Sequence, residues 1–500
     1  MHIPRFIISA LSGGGGKTLL SLGLTRAFTK IGQKVKTYKK GPDYIDAHWL
    51  ALASKELCTN LDPFFLNANQ LQALFTYSYK QNHPPFSLAL IEGNRGLFDG
   101  QDKFGSCSTA ELARTIKSPI ILSLNVTKVT RTTVAILQGV INFEKDLQIV
   151  GVVLNQVGSI RHEKIIRECI EHYTNIPVLG ALPRLKTNPL PERHMGLSQH
   201  HNAENTLNDL GNFIIKHCNL EKIYNLANQA TSIPISENFW DSIQEKDLTE
   251  KIINAREINL ISSKLETKKS QKNKTTVRIG YLYDDAFWFY YAENLQALEI
   301  AGAELVPLSF LDNTPWPDNL HGLYLGGGYP EEFLEEISKS KHLEELRNYS
   351  LAHMPIYAEC GGFMILANAI IRNKKSYAMA NIFPVKSEFF PKPQGLGYTM
   401  ATVQMENIFH PLNQELRGHE FHYSKCLDIE SYMEQDEYKL CLSLNKGLGM
   451  GKYHPNNPSG FDGLYIRHTF ASYTHIFAPS CPWWANNFVK TASNFAQNIA

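Results

Sequence analysis

The chain has 500 residues, 43% hydrophobic and 19% charged, with a formal net charge of +1. That length is too great for one core and predicts two or three domains; with a net charge near zero, nothing suggests an electrostatic nucleic-acid binder. No apolar run reaches the ~18 residues of a membrane helix, and the N-terminus lacks the basic and apolar regions of a signal peptide. The eight cysteines form no C-x-x-C pair and no regular framework, which in so long a chain reads as reduced thiols. A cytoplasmic protein with neither membrane nor nucleic-acid partners is expected.

The first predicted strand, Phe6-Ile7-Ile8, runs into Ser9 to Thr18, which reads Ser-Ala-Leu-Ser-Gly-Gly-Gly-Gly-Lys-Thr, and an apolar-periodic helix follows to about Lys30. Strand, glycine loop and helix form a phosphate cradle: Gly14, Gly15 and Gly16 let backbone N–H groups converge without a Cβ, and the helix N-terminus adds its positive end. Lys17 can reach the β/γ-phosphates and the Thr18 hydroxyl suits Mg²⁺. The strict G-x-x-x-x-G-K-[ST] pattern fails at Leu11, so the match is to the shorter G-G-x-G-K-T, with a plain glycine turn as the bland alternative. ATP or another nucleoside triphosphate is the expected ligand.

A short strand over 35–38 ends in Lys40-Gly41-Pro42-Asp43-Tyr44-Ile45-Asp46, a loop at the carboxyl end of a strand, where open α/β sheets place ligands. Asp43 and Asp46 could hold Mg²⁺ or steer a substrate; a turn with a helix cap at Asp46 is the alternative. The strand over 87–91 ends at Glu92, and Gly96-Leu97-Phe98-Asp99-Gly100 follows, a pair of carboxylates of the kind that meets Mg²⁺ beside a nucleotide. Apolar strands over 119–124, 149–155 and 177–183, with helices between, predict a parallel doubly wound sheet. Arg193 and His194 lie in a loop and could meet an anion or simply lead into a helix. The pattern from 199 to 261 is helical and weaker. Residues 262–276 are rich in Lys, Ser, Asn and Thr and read as a linker, so the expected domains are 1–261 and 277–500.

The second unit opens on the strand Val277 to Tyr283, with further strands over 304–308 and 322–325, the latter leading into Gly326-Gly327-Gly328-Tyr329-Pro330-Glu331. Met354 to Ala358 leads into Glu359-Cys360-Gly361-Gly362 and then a helix: a nucleophile elbow with Cys at its apex, whose thiolate a helix dipole would favour. Gly327, Gly328 and Gly361 are placed to supply an oxyanion hole. A Cys nucleophile needs a base; His419, His422, His454, His468 and His475 are the candidates, with His475 and His468 the principal competitors near the C-terminus.

Taken together these motifs closely resemble the cobyrinate a,c-diamide synthase family. The runs that carry the resemblance are Ser-Gly-Gly-Gly-Gly-Lys-Thr at 12–18, Lys-Gly-Pro-Asp-Tyr-Ile-Asp at 40–46, Glu92 to Gly100, and Leu-Pro-Glu-Arg-His at 190–194. Tyr-Tyr-Ala-Glu-Asn at 290–294, Gly-Gly-Gly-Tyr-Pro-Glu at 326–331, Ala-Glu-Cys-Gly-Gly at 358–362 and Arg-Gly-His-Glu-Phe-His-Tyr-Ser at 417–424 complete them in chain order. The resemblance implies a dethiobiotin-synthetase-like ATP domain fused to a class I glutamine amidotransferase domain, both α/β. It implies Cys360 as nucleophile and His475 as its base, since His475 matches the family's near-terminal Tyr-x-His. Class I domains usually carry a Glu two residues after that His; here it is Phe477, which suggests a Cys–His dyad. Tyr44, Ile45 and Asp46 match the loop facing the substrate carboxylates and Asn155 a position near the adenine. The implied substrates are a tetrapyrrole polycarboxylic acid and L-glutamine, amidated at the a and c carboxylates through an acyl phosphate, with an internal passage for ammonia. Nickel sirohydrochlorin and hydrogenobyrinic acid remain open as macrocycles, and a homodimer is allowed. Cobyrate synthase shares both half-reactions, but the 40–46 and 417–424 runs favour the a,c-diamide branch. A partition-type ATPase switch with an inert amidotransferase domain is the reading from another class; its signature Lys before the glycines is Ser12 here. The segment 447–458 has no clear pattern and reads as a lid or an insertion.

Overall fold

In the computed structural model the described residues are 1–81, 84–185, 187, 200–234, 239–243, 276–312, 314–429, 438–451 and 460–499. They divide into two compact units, Met1–Ile243 and Gln244–Ala500. Residues 262–275 of the expected linker, Arg193 and His194, His454 and the 452–458 part of the unpatterned segment lie outside the described residues.

The N-terminal unit is built on one parallel sheet. Its strands are β1 (Arg5–Ala10), β2 (Val35–Lys40), β3 (Thr59–Leu61), β4 (Leu88–Glu92), β5 (Ile120–Asn125), β6 (Ile149–Val157) and β7 (Val178–Pro183), in the order β3-β2-β4-β1-β5-β6-β7. β1, β2 and β4 are buried along their whole lengths, as expected of a sheet with helices on both faces. The core gathers Phe6, Ile8, Leu90, Ile121 and Val153 from the sheet with Leu20, Leu24 and Phe28 from helix α1 (Lys17–Lys30). The chain leaves β1 toward β2 and later crosses back to β5, so the carboxyl ends of β1, β4 and β2 meet at the reversal of strand order. There Ile8 stands opposite Glu92, and Glu92 opposite Lys39.

The C-terminal unit is α/β with a mixed sheet. Its first strands are β8 (Val277–Leu282), β9 (Phe287–Phe289), β10 (Ala303–Leu308), β11 (Gly322–Leu325), β12 (Gly327–Gly328) and β13 (Ile356–Glu359), of which β9 and β12 pair only with each other. A four-stranded satellite sheet holds β14 (Ala367–Arg372), β15 (Lys375–Ala378), β16 (Phe383–Phe389) and, further on, β19 (Ser424–Leu427). The remaining main-sheet strands are β17 (Gly395–Val403), β18 (Glu415–His422), β20 (Lys439–Lys446), β21 (Gly460–Ile466), β22 (Thr469–Ser472) and β23 (His475–Ile476). The main-sheet order is β10-β8-β11-β13-β22-β21-β20-β17-β18-β23. The first five are mutually parallel; the remaining pairs are antiparallel, so the doubly wound pattern read from the sequence covers one half of this sheet. No helix among the described residues is long and apolar enough to cross a membrane.

Candidate active site

The glycine loop joins β1 to α1 as the sequence predicts. Gly16 is the residue before the helix, at φ 84°, and a Cβ there would lie 2.1 Å from Asn155 Nδ2; only glycine meets both demands. Ser123 Oγ and Asn155 Nδ2 donate to Gly15 O at 2.8 and 3.4 Å, pinning the loop from β5 and β6. Asn155 thus stands beneath the loop. Lys17 folds back over it, donating to Ser12 O at 3.0 Å.

Beside the loop runs a chain of buried charge. Thr18 Oγ1 donates to Glu92 Oε1 at 2.7 Å, and Lys39 Nζ bridges Glu92 Oε1 at 3.1 Å and Asp46 Oδ2 at 2.7 Å. Burial opposes the charge on Lys39, but the Asp46 and Glu92 carboxylates outweigh it and hold the ammonium above its ordinary pKa. Burial pushes Glu92 up, with Lys39 opposing. Thr18, Asp46 and Glu92 therefore converge. Asp99 does not join them: it is exposed, and its Oδ2 accepts from Gly96 N at 2.8 Å, closing its own turn. The helix cap expected at Asp46 is Asp43 instead, which accepts from Asp46 N at 2.9 Å and starts helix α2 (Tyr44–Ser54). Tyr44 is buried and Ile45 packs against the core of this unit. Lys39 was not singled out from the sequence, although a lysine near the carboxyl end of a buried strand carried the signal.

In the C-terminal unit the elbow forms where β13 meets a six-residue helix, Gly361–Leu366. Cys360 has φ 49° and ψ −104°, a strained conformation for a non-glycine residue. The turn is tight because Gly362 lies against β11: a Cβ there would be 2.1 Å from Leu325 O. The helix dipole expected to favour the thiolate meets an opposing effect: burial, with Glu331 nearby, pushes the Cys360 thiol above its ordinary value. β13 and β22 pair through Glu359 opposite Ser472, and Cys360 N donates to Ser472 O at 2.7 Å. The chain continues from there through Tyr473 and Thr474 to His475, which is 1% exposed.

The other histidines separate by position. His468 lies at the far end of β22, its carbonyl accepting from Ile356 N where β13 begins, and its Nδ1 is bonded to His353 O. His422 stacks on Tyr473 at 3.8 Å between ring centroids and bonds Ser424 O. His419 stacks on His475 at 4.9 Å and meets the Tyr291 hydroxyl at 3.2 Å; burial, then His475, push it well below its ordinary pKa, so it stays neutral. Gly327 faces His475, since a Cβ there would lie 2.6 Å from its Cε1, and a Cβ on Gly361 would lie 3.2 Å from Gly328 N. The three glycines proposed for an oxyanion hole therefore line the same corner.

Two further carboxylates were missed in the sequence. Asp462 accepts from Tyr473 N, Thr474 N and Gly463 N at 2.9–3.0 Å and so shapes the turn before His475. Glu420 accepts from Leu448 N and Gly449 N, both at 2.8 Å, tying down the start of the unpatterned segment.

A P-loop unit and an amidotransferase elbow in one chain define an ATP-dependent amide ligase that takes its nitrogen from glutamine. Residues 6–197 match the CobQ/CobB/MinD/ParA nucleotide binding domain, and residues 278–483 match the CobB/CobQ-like glutamine amidotransferase domain. Cobyrinate a,c-diamide synthases from Magnetococcus marinus and Dehalococcoides mccartyi are each 36% identical, over 99% of this chain and 99% of theirs. That of Archaeoglobus fulgidus is 31% identical over 98% of both. The chain belongs to the cobyrinate a,c-diamide synthase family, as its motifs suggest, and is a ligase of cobalamin biosynthesis. Among solved structures, a glutamine amidotransferase shares 14% identity over 43% of this chain at a TM-score of 0.30.

Proposed function

We propose that the enzyme amidates the a and c carboxylates of cobyrinic acid, using ATP to activate each acid and Cys360 to release ammonia from glutamine. What carries this reading is the full-length similarity to cobyrinate a,c-diamide synthases, joined to a strained, buried Cys360 at the end of β13 and a buried His475 three residues beyond β22, the strand that pairs with β13.

Oxide is a poor leaving group, so a carboxylate resists amidation. A substrate carboxylate oxygen attacks the γ-phosphorus of ATP, ADP departs, and an acyl phosphate results; ammonia then adds at the acyl carbon and phosphate leaves with its electron pair. The amides of Gly14, Gly15 and Gly16, with Lys17, Thr18 and Asn155, hold the nucleotide. Asp43, Tyr44, Ile45 and Asp46 face the macrocycle's carboxylates. The Thr18 hydroxyl and the Asp46 and Glu92 carboxylates fit Mg²⁺, a cation that takes hard oxygen ligands; the buried Glu92 Oε2 has no hydrogen bond among the described residues. Bound with ATP, that ion neutralises phosphate charge.

In the other half, the Cys360 thiol gives its proton to His475 Nε2 and sulfur bonds to the glutamine amide carbon. The oxyanion lies toward the N–H groups of Gly327, Gly328 and Gly361. The imidazolium returns the proton to the departing nitrogen, the C–N bond breaks, and ammonia leaves a thioester. Water hydrolyses the thioester to glutamate and restores the thiol.

The test is product mass after incubation with ATP, Mg²⁺ and glutamine, separately with cobyrinic acid, hydrogenobyrinic acid and nickel sirohydrochlorin. Cobyrinic acid is expected to gain a diamide. Conversion only of another macrocycle would move the substrate; ATP hydrolysis with no mass change on any would sink the synthase reading.

A further inference from the structure

The acid that class I amidotransferases usually carry two residues after the base is Phe477 here. Its side chain is 2% exposed and packs edge-to-face on Tyr291 at 5.0 Å between ring centroids. That position cannot orient the imidazole. A carboxylate reaches His475 from another direction: Glu359 Oε2 lies 3.3 Å from His475 Nδ1. Glu359 is the residue before the nucleophile, at the end of β13, and is 0% exposed. Its other contacts fix it in place, since Ile476 N donates to Oε1 at 3.0 Å and the Tyr324 hydroxyl donates to Oε2 at 3.0 Å. Tyr324 is itself held by Asn294 Nδ2 at 3.1 Å, and Asn294 Oδ1 accepts from Ala478 N at 2.7 Å.

We propose that Glu359 is the positioning carboxylate of this glutaminase site, supplied by the strand that carries the nucleophile instead of the segment that carries the base. The inference rests on the reading of Cys360 and His475 given above. Accepting from Nδ1–H, Glu359 keeps the proton on that nitrogen, so Nε2 presents its lone pair to the Cys360 thiol. When Nε2 takes the thiol proton, the adjacent carboxylate stabilises the imidazolium; Glu359 itself takes no proton. The local sequence explains the geometry. Glu359 ends β13 with its carboxylate on β23, where it meets His475 Nδ1 and Ile476 N, and the positive φ of Cys360 then turns the chain into the elbow. The dyad expected from Phe477 becomes a triad of different connectivity.

Glu359→Gln is nearly isosteric and keeps an acceptor for Ile476 N–H, but puts no charge on Nδ1. Its glutaminase kcat is expected to fall roughly 10²–10⁴-fold, with KM for glutamine changed by less than about threefold and ammonia-driven amidation retained. A kcat within about threefold of wild type, or a loss confined to KM, would overturn the assignment. In wild-type protein labelled with ¹⁵N-histidine, which requires no folded variant, the His475 signal is expected to report the Nδ1–H tautomer; the Nε2–H tautomer would also overturn it. Cys360→Ala separates the two levels: if it still makes amide from glutamine, the nucleophile reading fails and the Glu359 assignment falls with it. If Cys360→Ala is dead with glutamine but Glu359→Gln is unimpaired, the assignment of Glu359 alone fails.

Discussion

Lys39 and Glu331 show, at the scale of single residues, how burial sets the chemistry of each half. The Lys39 ammonium is 1% exposed and compensates two carboxylates at once. Removing one partner from such a cluster leaves charge buried without compensation, at a cost of about 3–5 kcal/mol. Lys39→Met is therefore expected to lower the unfolding free energy of the N-terminal unit, from urea titration, by that order, whereas loss of the exposed Lys164 would have little effect; equal unfolding free energies would contradict it. Glu331 is the opposite case. Burial, reinforced by Glu332 and opposed by Arg372, pushes its carboxyl up to about 8. The native state then binds more protons at this site than the unfolded chain, so this group's contribution falls as pH rises from the ordinary carboxylate range through about 8. Glu331→Gln removes that dependence. Its urea midpoint relative to wild type is expected to be more favourable at pH 8.5 than at pH 5; a difference independent of pH would refute the shift.

Among elements, both sites sit where a strand ends and a helix begins, and in each a glycine permits the turn. At the phosphate loop, Gly16→Ala has to relieve both a positive φ and a 2.1 Å approach to Asn155. Strain of this kind costs about 1–3 kcal/mol, and the loop amides would lose their convergence. ATP binding by calorimetry is expected to be abolished while glutaminase activity persists. At the elbow, Gly362→Ala drives a methyl into the Leu325 carbonyl of a neighbouring strand rather than into a movable side chain. There the expectation reverses: glutamine hydrolysis lost, ATP binding retained. Should either substitution abolish both activities, the separation of function between the two elements would be wrong.

Across the whole molecule, both α/β units, the glycine loop and the cysteine elbow were legible in the sequence, because each leaves a local signature: an apolar strand, a run of small residues, a periodic helix. His475 was preferred to His468 only through family resemblance; the structure adds the physical reason, since the two lie at opposite ends of β22. Contacts between residues distant in the chain left no such trace. Lys39 meets Glu92 across paired strands, and Glu359 meets His475 across 116 positions. Asp99 misled because a carboxylate in a Gly-x-x-Asp turn looks the same whether it binds a cation or closes its own loop. The mixed sheet was missed for a related reason: the second half of the chain reads as strands whether they pair parallel or antiparallel.

In the proposed function, one chain couples ATP-driven activation of an acid to ammonia released at Cys360. The most direct measurement is diamide formation from cobyrinic acid by Cys360→Ala, supplied with ATP, Mg²⁺ and either glutamine or ammonium chloride at alkaline pH. No product with glutamine and full diamide with ammonia are expected. Product with glutamine would show that Cys360 is not the nucleophile, and no product with ammonia, in protein that still binds ATP, would contradict the division of labour between the two units.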